Sequence, residues 1–140
     1  MIDPDQLEKA FNNEENTQLL DLTNKKIEKE KIKMLNKLNL SKKQFKEISK
    51  KLENYRYIDE LPELKYGSFI RWISLKNPEK VKLSNGGLVM EIKIELSGII
   101  IVCKNNLNRF FQINMNENLI FQKLNNQESV LLSALDYINQ

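Results

Sequence analysis

The sequence contains no histidine and a single cysteine, Cys103. Histidine is the usual general base at neutral pH and a common zinc ligand, so its absence removes both roles. A lone cysteine cannot form a disulfide within the chain, and without histidine it cannot complete an ordinary zinc site. We therefore expect a protein that is not an enzyme and that carries no cofactor or metal.

Long apolar runs are also missing, since none approaches the roughly 20 residues that a transmembrane helix needs. The first eight residues are acidic and polar, which is not the pattern of a secretory signal. The four glycines are accounted for by turns, so no phosphate-binding loop is expected. We expect no membrane contact and an intracellular protein of the cytoplasm or nucleus, or of the virion if the chain is viral.

Charge is distributed unevenly along the 140 residues, although the net charge is only +3. Residues 1–24 carry one lysine and six acidic residues, a net −5. Residues 25–56 carry twelve basic residues and four glutamates, a net +8, and residues 57–140 carry nine of each sign. The chain is therefore locally basic, which its overall charge understates.

Helix signals dominate the first part of the chain. Within the acidic segment 1–24, Asp3 can cap a short helix that begins at Pro4. Thr23 can cap a second helix that continues to about Leu38. Its apolar positions are Ile27, Met34, Leu35 and Leu38, and lysine and glutamate fill most of the others.

A third helix is marked by a capping box, Ser41 with Gln44. Four apolar residues then recur at intervals of three or four, as on one buried helix face: Phe45, Ile48, Leu52 and Tyr55. The connection between the second and third helices is very short, which favours antiparallel neighbours. The sequence therefore predicts a basic helical hairpin over residues 25–58.

After an acidic linker at 59–64, the period of the pattern changes to that of strands. Five short strands are predicted, at 68–75, 88–96, 99–103, 110–115 and 119–124. In the second of them, the alternation predicts one buried face formed by Leu88, Met90, Ile92, Ile94 and Leu96. A small sheet with two open edges is marginal, so we expect closure into a barrel over residues 65–124. An apolar stripe within 125–140 predicts a C-terminal helix that covers the barrel.

The segment LKYGSFIRWI at 64–73, the strand after Gly86-Gly87 and the Ser97-Gly98 turn resemble an SH3-like barrel of the Tudor or KOW kind. This resemblance covers roughly residues 64–124 and implies a five-stranded antiparallel barrel. The predicted fold class is thus α+β, with a helical hairpin, an SH3-like barrel and a C-terminal helix. The composition, rich in asparagine, lysine and isoleucine, also resembles that of small uncharacterised proteins of large DNA viruses.

A set of basic side chains forms the first candidate site, because such groups bind nucleic-acid phosphates. Its members lie in the hairpin and the barrel: Lys42, Lys43, Lys46, Lys50, Lys51, Arg56, Arg71 and Arg109. One alternative is a solvated helix face whose charges only aid solubility. Another is that the acidic segment 1–24 folds back on these lysines and masks them.

A set of apolar and aromatic residues forms the second candidate site, for a protein partner or for self-association. Its members are Ile27, Met34, Leu38, Trp72 and Phe110. The alternative is that the first three pack within the hairpin and the two aromatic residues belong to the core. Trp72 and Phe110 could equally stack on nucleic-acid bases, beside Arg71 and Arg109.

These features together predict a non-enzymatic binding or assembly protein that acts through protein–protein contacts. A small structural or adaptor component of a larger complex, including a viral one, fits this description. The alternative is a sequence-nonspecific nucleic-acid-binding protein that uses the basic helix and the barrel face. No small-molecule substrate is expected in either case.

Overall fold

The computed structural model of the chain describes residues 3–13 and 22–138. The helices in these ranges are α1 Pro4–Asn12, α2 Asn24–Asn36, α3 Lys42–Lys51 and α4 Asn126–Ile138. The strands are β1 Tyr55–Ile58, β2 Phe69–Ser74, β3 Gly87–Glu95, β4 Gly98–Lys104, β5 Phe110–Asn114 and β6 Asn118–Lys123. Short 3-10 turns occur at Leu61–Glu63 and Met115–Glu117. The predicted α+β class is confirmed.

The strands form one antiparallel sheet in the order β1-β6-β2-β3-β4-β5. All five predicted strands are present, and a sixth, β1, arises from the end of the predicted helical hairpin. β1 pairs with β6 from Tyr55 opposite Lys123 to Ile58 opposite Ile120. Nothing in the described residues joins β1 to β5, so the sheet has two edges. The predicted closed five-stranded barrel is therefore wrong.

The predicted helix caps are present and explain where the first three helices begin. The Asp3 carboxylate accepts a hydrogen bond from the Asp5 amide at 2.9 Å. The Thr23 hydroxyl accepts one from the Lys26 amide at 3.1 Å. Ser41 and Gln44 satisfy each other's amides through reciprocal bonds of 3.1 Å. No helix in the described ranges has the length and apolar character that crossing a membrane requires.

Helices α2 and α3 dock on one face of the sheet, here called the helix face. Leu35 of α2 and Leu52, which follows α3, are fully buried there against Ile73 and Phe121 of the sheet. The opposite face has its own core, formed by strand residues and by Leu64 from the segment before β2. The hairpin helices are therefore held by the sheet, as an isolated two-helix hairpin buries too little area to be stable.

Helix α4 packs against α1 and α2, in a third core built around Ala10, Ile27, Leu131 and Leu132. The prediction that this helix covers the barrel is therefore wrong. Its start is fixed by Asn125 and Glu128, which cap each other's amides at 2.8 and 3.0 Å. The predicted apolar stripe is real, but its partners are helices.

A bulge in β3 changes which of its side chains are buried. The register shifts between Val89 and Glu91, which leaves Met90 as the extra residue. Val89 is buried, whereas Met90, Leu88 and Ile94 are exposed. The prediction of a continuous buried face along this strand is therefore wrong. The bulge places Leu88 on the face opposite to that of Ile92, and Ile94, which shares the face of Ile92, is 78% exposed.

Candidate binding surfaces

Helix α3 carries the largest group of basic candidates. Lys42, Lys43, Lys46, Lys50 and Lys51 are all exposed. Among the described residues, none of them forms an ion pair. Phe45 and Ile48 face the sheet, so Lys43, Lys46 and Lys50 occupy the solvent side by helical spacing. We call the five exposed lysines of helix α3 the α3 surface.

The three arginine candidates lie elsewhere. Arg56 is only 3% exposed, and its Nη1 pairs with Glu63 Oε2 at 3.2 Å. It therefore cannot extend the α3 surface, because it belongs to β1 and is buried. Arg71 is half-buried on the helix face and donates its Nε–H to the Ser84 carbonyl at 2.9 Å. Arg109 is exposed in the β4–β5 loop.

Lys31 is a basic residue whose role the sequence pattern did not reveal. It is only 3% exposed, although the sequence placed it among the charged residues between the apolar positions of α2. Its ammonium donates to the Leu52 carbonyl at 2.7 Å and pairs with Glu28 at 2.9 Å. A cation at the carboxyl end of a helix is favourable. Lys31 therefore ties α2 to the end of α3 and fixes how the α3 surface is presented.

Most of the apolar candidates belong to the core. Ile27 is buried among α1, α2 and α4. Met34 and Leu38 pack against the core between the helices and the sheet. Trp72 is half-buried against the core of the opposite face. These four residues therefore pack in or against the core, which was the alternative to a partner-binding role, and they do not form the centre of an exposed surface.

Phe110 differs from them, because 61% of it is exposed. Its neighbour Phe111 is 44% exposed, and the two project from opposite faces of the edge strand β5. Leu107, in the preceding loop, is also exposed. The Lys104 ammonium lies 5.9 Å from the centre of the Phe110 ring, within cation–π range. Leu107, Phe110, Phe111 and Gln112 are here called the β5 surface.

The backbone of β5 adds hydrogen-bonding groups to this surface. The Asn105 amide donates to the Arg109 carbonyl at 2.9 Å, which makes these two residues a hydrogen-bonded pair. Bonded and non-bonded pairs alternate along antiparallel strands, so Phe111 and Ile113 direct their backbone groups toward β4. The remaining strand residues direct theirs toward the outer edge: Phe110, Gln112 and Asn114. No strand of the described chain pairs with that edge.

A groove of about 720 Å³ lies between the segment 62–69 and the connection from β6 to α4. Two of its ionisable groups, Glu128 and Lys65, are engaged with each other. Glu128 is buried, pairs with Lys65 at 3.4 Å and accepts from the Asn125 amide. This carboxylate therefore has a structural role as the cap of α4.

Two ionisable groups outside these surfaces, Cys103 and Glu30, have raised pKa values. Burial raises the pKa of the Cys103 thiol to about 12, as expected for an inert core cysteine. Partial burial raises the pKa of Glu30, and the nearby carboxylates of Glu63 and Asp59 add to the shift. In the parts of the chain that the structure describes, no cluster of cysteine and acidic side chains could hold a metal ion.

No protein-family model matches the chain, and no curated protein or solved structure matches it either. The resemblances to SH3-like barrels and to viral proteins stay predictions. The α3 surface and the β5 surface are the exposed features of the described chain that are suited to binding a partner.

Proposed function

We propose that this chain is a non-enzymatic binding or assembly protein, a small structural or adaptor component that acts through protein–protein contacts at the β5 surface. One observation carries this proposal: Phe110 and Phe111 are exposed on the two faces of a strand whose outer edge is unpaired within the described residues. Exposed aromatic residues are frequent anchors of protein interfaces. An unprotected strand edge adds a row of hydrogen-bonding groups for a partner.

The apolar area that Phe110 and Phe111 expose is large enough for them to act as interface anchors. The exposed fractions of Phe110 and Phe111, 61% and 44%, together equal about one whole side chain. An aromatic side chain buries ~200 Å², which is worth ~5 kcal/mol at ~25 cal/mol per Å². Association costs a comparable amount in lost freedom. The aromatic pair therefore needs the backbone bonds of the edge as well, and β5 offers both in one place.

A pair of charge-introducing variants tests the proposal. Phe110→Asp places a carboxylate in the β5 surface, whereas Leu96→Asp places one in the exposed turn between β3 and β4. Each immobilised chain is used to capture proteins from an extract of the cells in which the protein occurs. We expect Phe110→Asp to lose the proteins that the wild type captures, and Leu96→Asp to retain them. Equal capture by all three chains would contradict the proposal.

A second candidate function, sequence-nonspecific nucleic-acid binding, is supported by the α3 surface. Helix α3 has five lysines and one glutamate, and the lysines are exposed. Each phosphate that a lysine neutralises releases counterions, so the affinity should fall steeply with salt. If three lysines contact duplex DNA, the slope of log K against log salt is about −2.7.

A matched pair of triple variants tests this second candidate. Lys43→Glu, Lys46→Glu and Lys50→Glu reverse three charges on the solvent side of α3. The control reverses three exposed charges on α2: Lys25→Glu, Lys29→Glu and Lys33→Glu. Loss of binding in the α3 variant alone would assign nucleic-acid binding to the α3 surface. Absence of wild-type binding at low salt would exclude this function, and equal loss in both variants would assign binding to overall charge.

A further inference from the structure

The outer edge of β5 is complementary to a second copy of itself. Its outward-facing backbone groups belong to Phe110, Gln112 and Asn114, which are evenly spaced about Gln112. If two such strands run antiparallel with Gln112 opposite Gln112, then Phe110 faces Asn114 of the second copy. The three pairs that these outward-facing residues form are all of the hydrogen-bonded kind, for up to roughly six bonds. The Asn114 carbonyl also accepts from Asn118, but a carbonyl oxygen has two lone pairs.

The side chains are compatible with the same register. On one face, Phe111 comes opposite Ile113 of the second copy, an aromatic and β-branched pair that stabilises sheets. β5 contains no charged residue, so self-pairing brings no like charges together.

We propose that two copies of this chain pair through β5 about a twofold axis at Gln112. This inference rests on the proposed function, because it uses the same β5 surface. The occupant of the β5 edge is thus a second copy, and the two sheets continue into one. Twofold interfaces use the same patch on both subunits, which is the property that β5 has.

The area available sets the strength of this dimer. Phe110 and Phe111 of both copies contribute at most ~400 Å² together, from their exposed fractions of 61% and 44%. Leu107 and the two backbone edges add to this, but the sum stays below the ~1,200 Å² of a standard stable interface. The dimer is therefore weak and depends on concentration in the micromolar range or above.

A cysteine placed on the axis tests the register directly. In Gln112→Cys, the two Cα atoms of the pair would lie ~5.5 Å apart, within the range that a disulfide requires. In the control Asn106→Cys, the cysteine is exposed in the β4–β5 loop and far from the axis. The native Cys103 is buried. Under mild oxidation of the full chain, we expect a disulfide-linked dimer from Gln112→Cys and a monomer from the control.

A proline at the same position tests the backbone bonds. Gln112→Pro removes an outward amide without removing a bond to β4, a position at which an edge strand tolerates proline. Gln112→Ala keeps the amide and removes only the side chain. By sedimentation over a concentration series, we expect proline to weaken dimerisation at least about tenfold, because two bonds across the axis are lost. Alanine should change it less than about threefold.

The outcomes separate this inference from the proposed function. A chain that stays monomeric at all concentrations, or that forms no disulfide in Gln112→Cys, overturns the self-pairing. If Phe110→Asp still loses captured proteins in that case, the proposed function stands and another protein occupies the edge. If Phe110→Asp changes neither the captured proteins nor dimerisation, both the self-pairing and the proposed function fail. Should Gln112→Pro unfold, the cysteine pair still decides the matter.

Discussion

Replacing Gln122 by methionine tests how the segment before β2 is held against the sheet. Gln122 is only 1% exposed. Its Oε1 accepts from the Lys65 amide at 2.9 Å and from the Ser68 hydroxyl at 2.8 Å. Its Nε2 donates to the Glu63 carbonyl at 3.0 Å. This one side chain therefore joins β6 to three residues of the segment that supplies Leu64 to the core.

The magnitude follows from these bonds. Methionine has a similar shape but can replace none of them, and each bond contributes about 0.5–1.5 kcal/mol net. The expected loss in the free energy of unfolding is therefore about 3 kcal/mol. Ser68→Ala should cost about 1 kcal/mol, since it removes one of the bonds. The Ser68 hydroxyl also lies 2.6 Å from the Lys65 carbonyl, and its single proton serves one acceptor at a time.

Urea unfolding of the two single variants and the double variant measures these costs. Because Gln122 and Ser68 share a bond, the double variant should lose less than the sum of the single losses. Gln112→Met, in which the exposed glutamine of β5 is changed, is the matched control and should stay within about 0.5 kcal/mol of the wild type. A loss below about 1 kcal/mol for Gln122→Met, or strict additivity, would refute the assignment of these bonds.

Three further changes have defined outcomes. Lys31→Met should lower the free energy of unfolding by about 2 kcal/mol, because a charge-assisted bond to the Leu52 carbonyl is lost. The control Lys29→Met changes an exposed lysine and should be neutral, and urea unfolding measures both variants. Above about pH 9 the unfolded thiol of Cys103 ionises while the folded one stays protonated, since its pKa is about 12. Stability should therefore fall by about 1.4 kcal/mol per pH unit from this group, and Cys103→Ala should show a shallower decline in denaturation at pH 8 to 10. Gly86→Ala should lower the melting temperature, because Gly86 has a φ of +89° and a Cβ there would overlap a carbonyl of β2.

Local signals in the sequence predicted local structure well. The Ser41 and Gln44 capping box and the Asn125 and Glu128 pair both form, because each depends on residues only three positions apart. The five predicted strands form for a similar reason, since their patterns of apolar residues extend over five or more positions. The exposure of Phe110 was open in the sequence, because an edge strand and a central strand have the same period.

The failures come from contacts between distant segments. Tyr55 continues the helical spacing of α3, but residues 55–58 form a strand because they pair with β6. Aromatic and β-branched residues fit that role. Lys31 and Arg56 are buried because Leu52 and Glu63 offer them partners, which no local pattern reveals. The barrel failed to close for the same reason, as β6 already has a strand on each side.

The two edges of the sheet differ in a way that decides which assemblies they allow. Helix α2 packs against β1, three of whose four residues are buried, whereas β5 is largely exposed. If both edges were open, β5 of one copy could pair with β1 of the next, and the chain of contacts would continue without limit. Because β1 is covered, pairing two β5 edges leaves no open edge among the described strands of either copy. Self-association through β5 therefore stops at two chains. The average mass measured by light scattering at rising concentration should level off at the mass of a dimer.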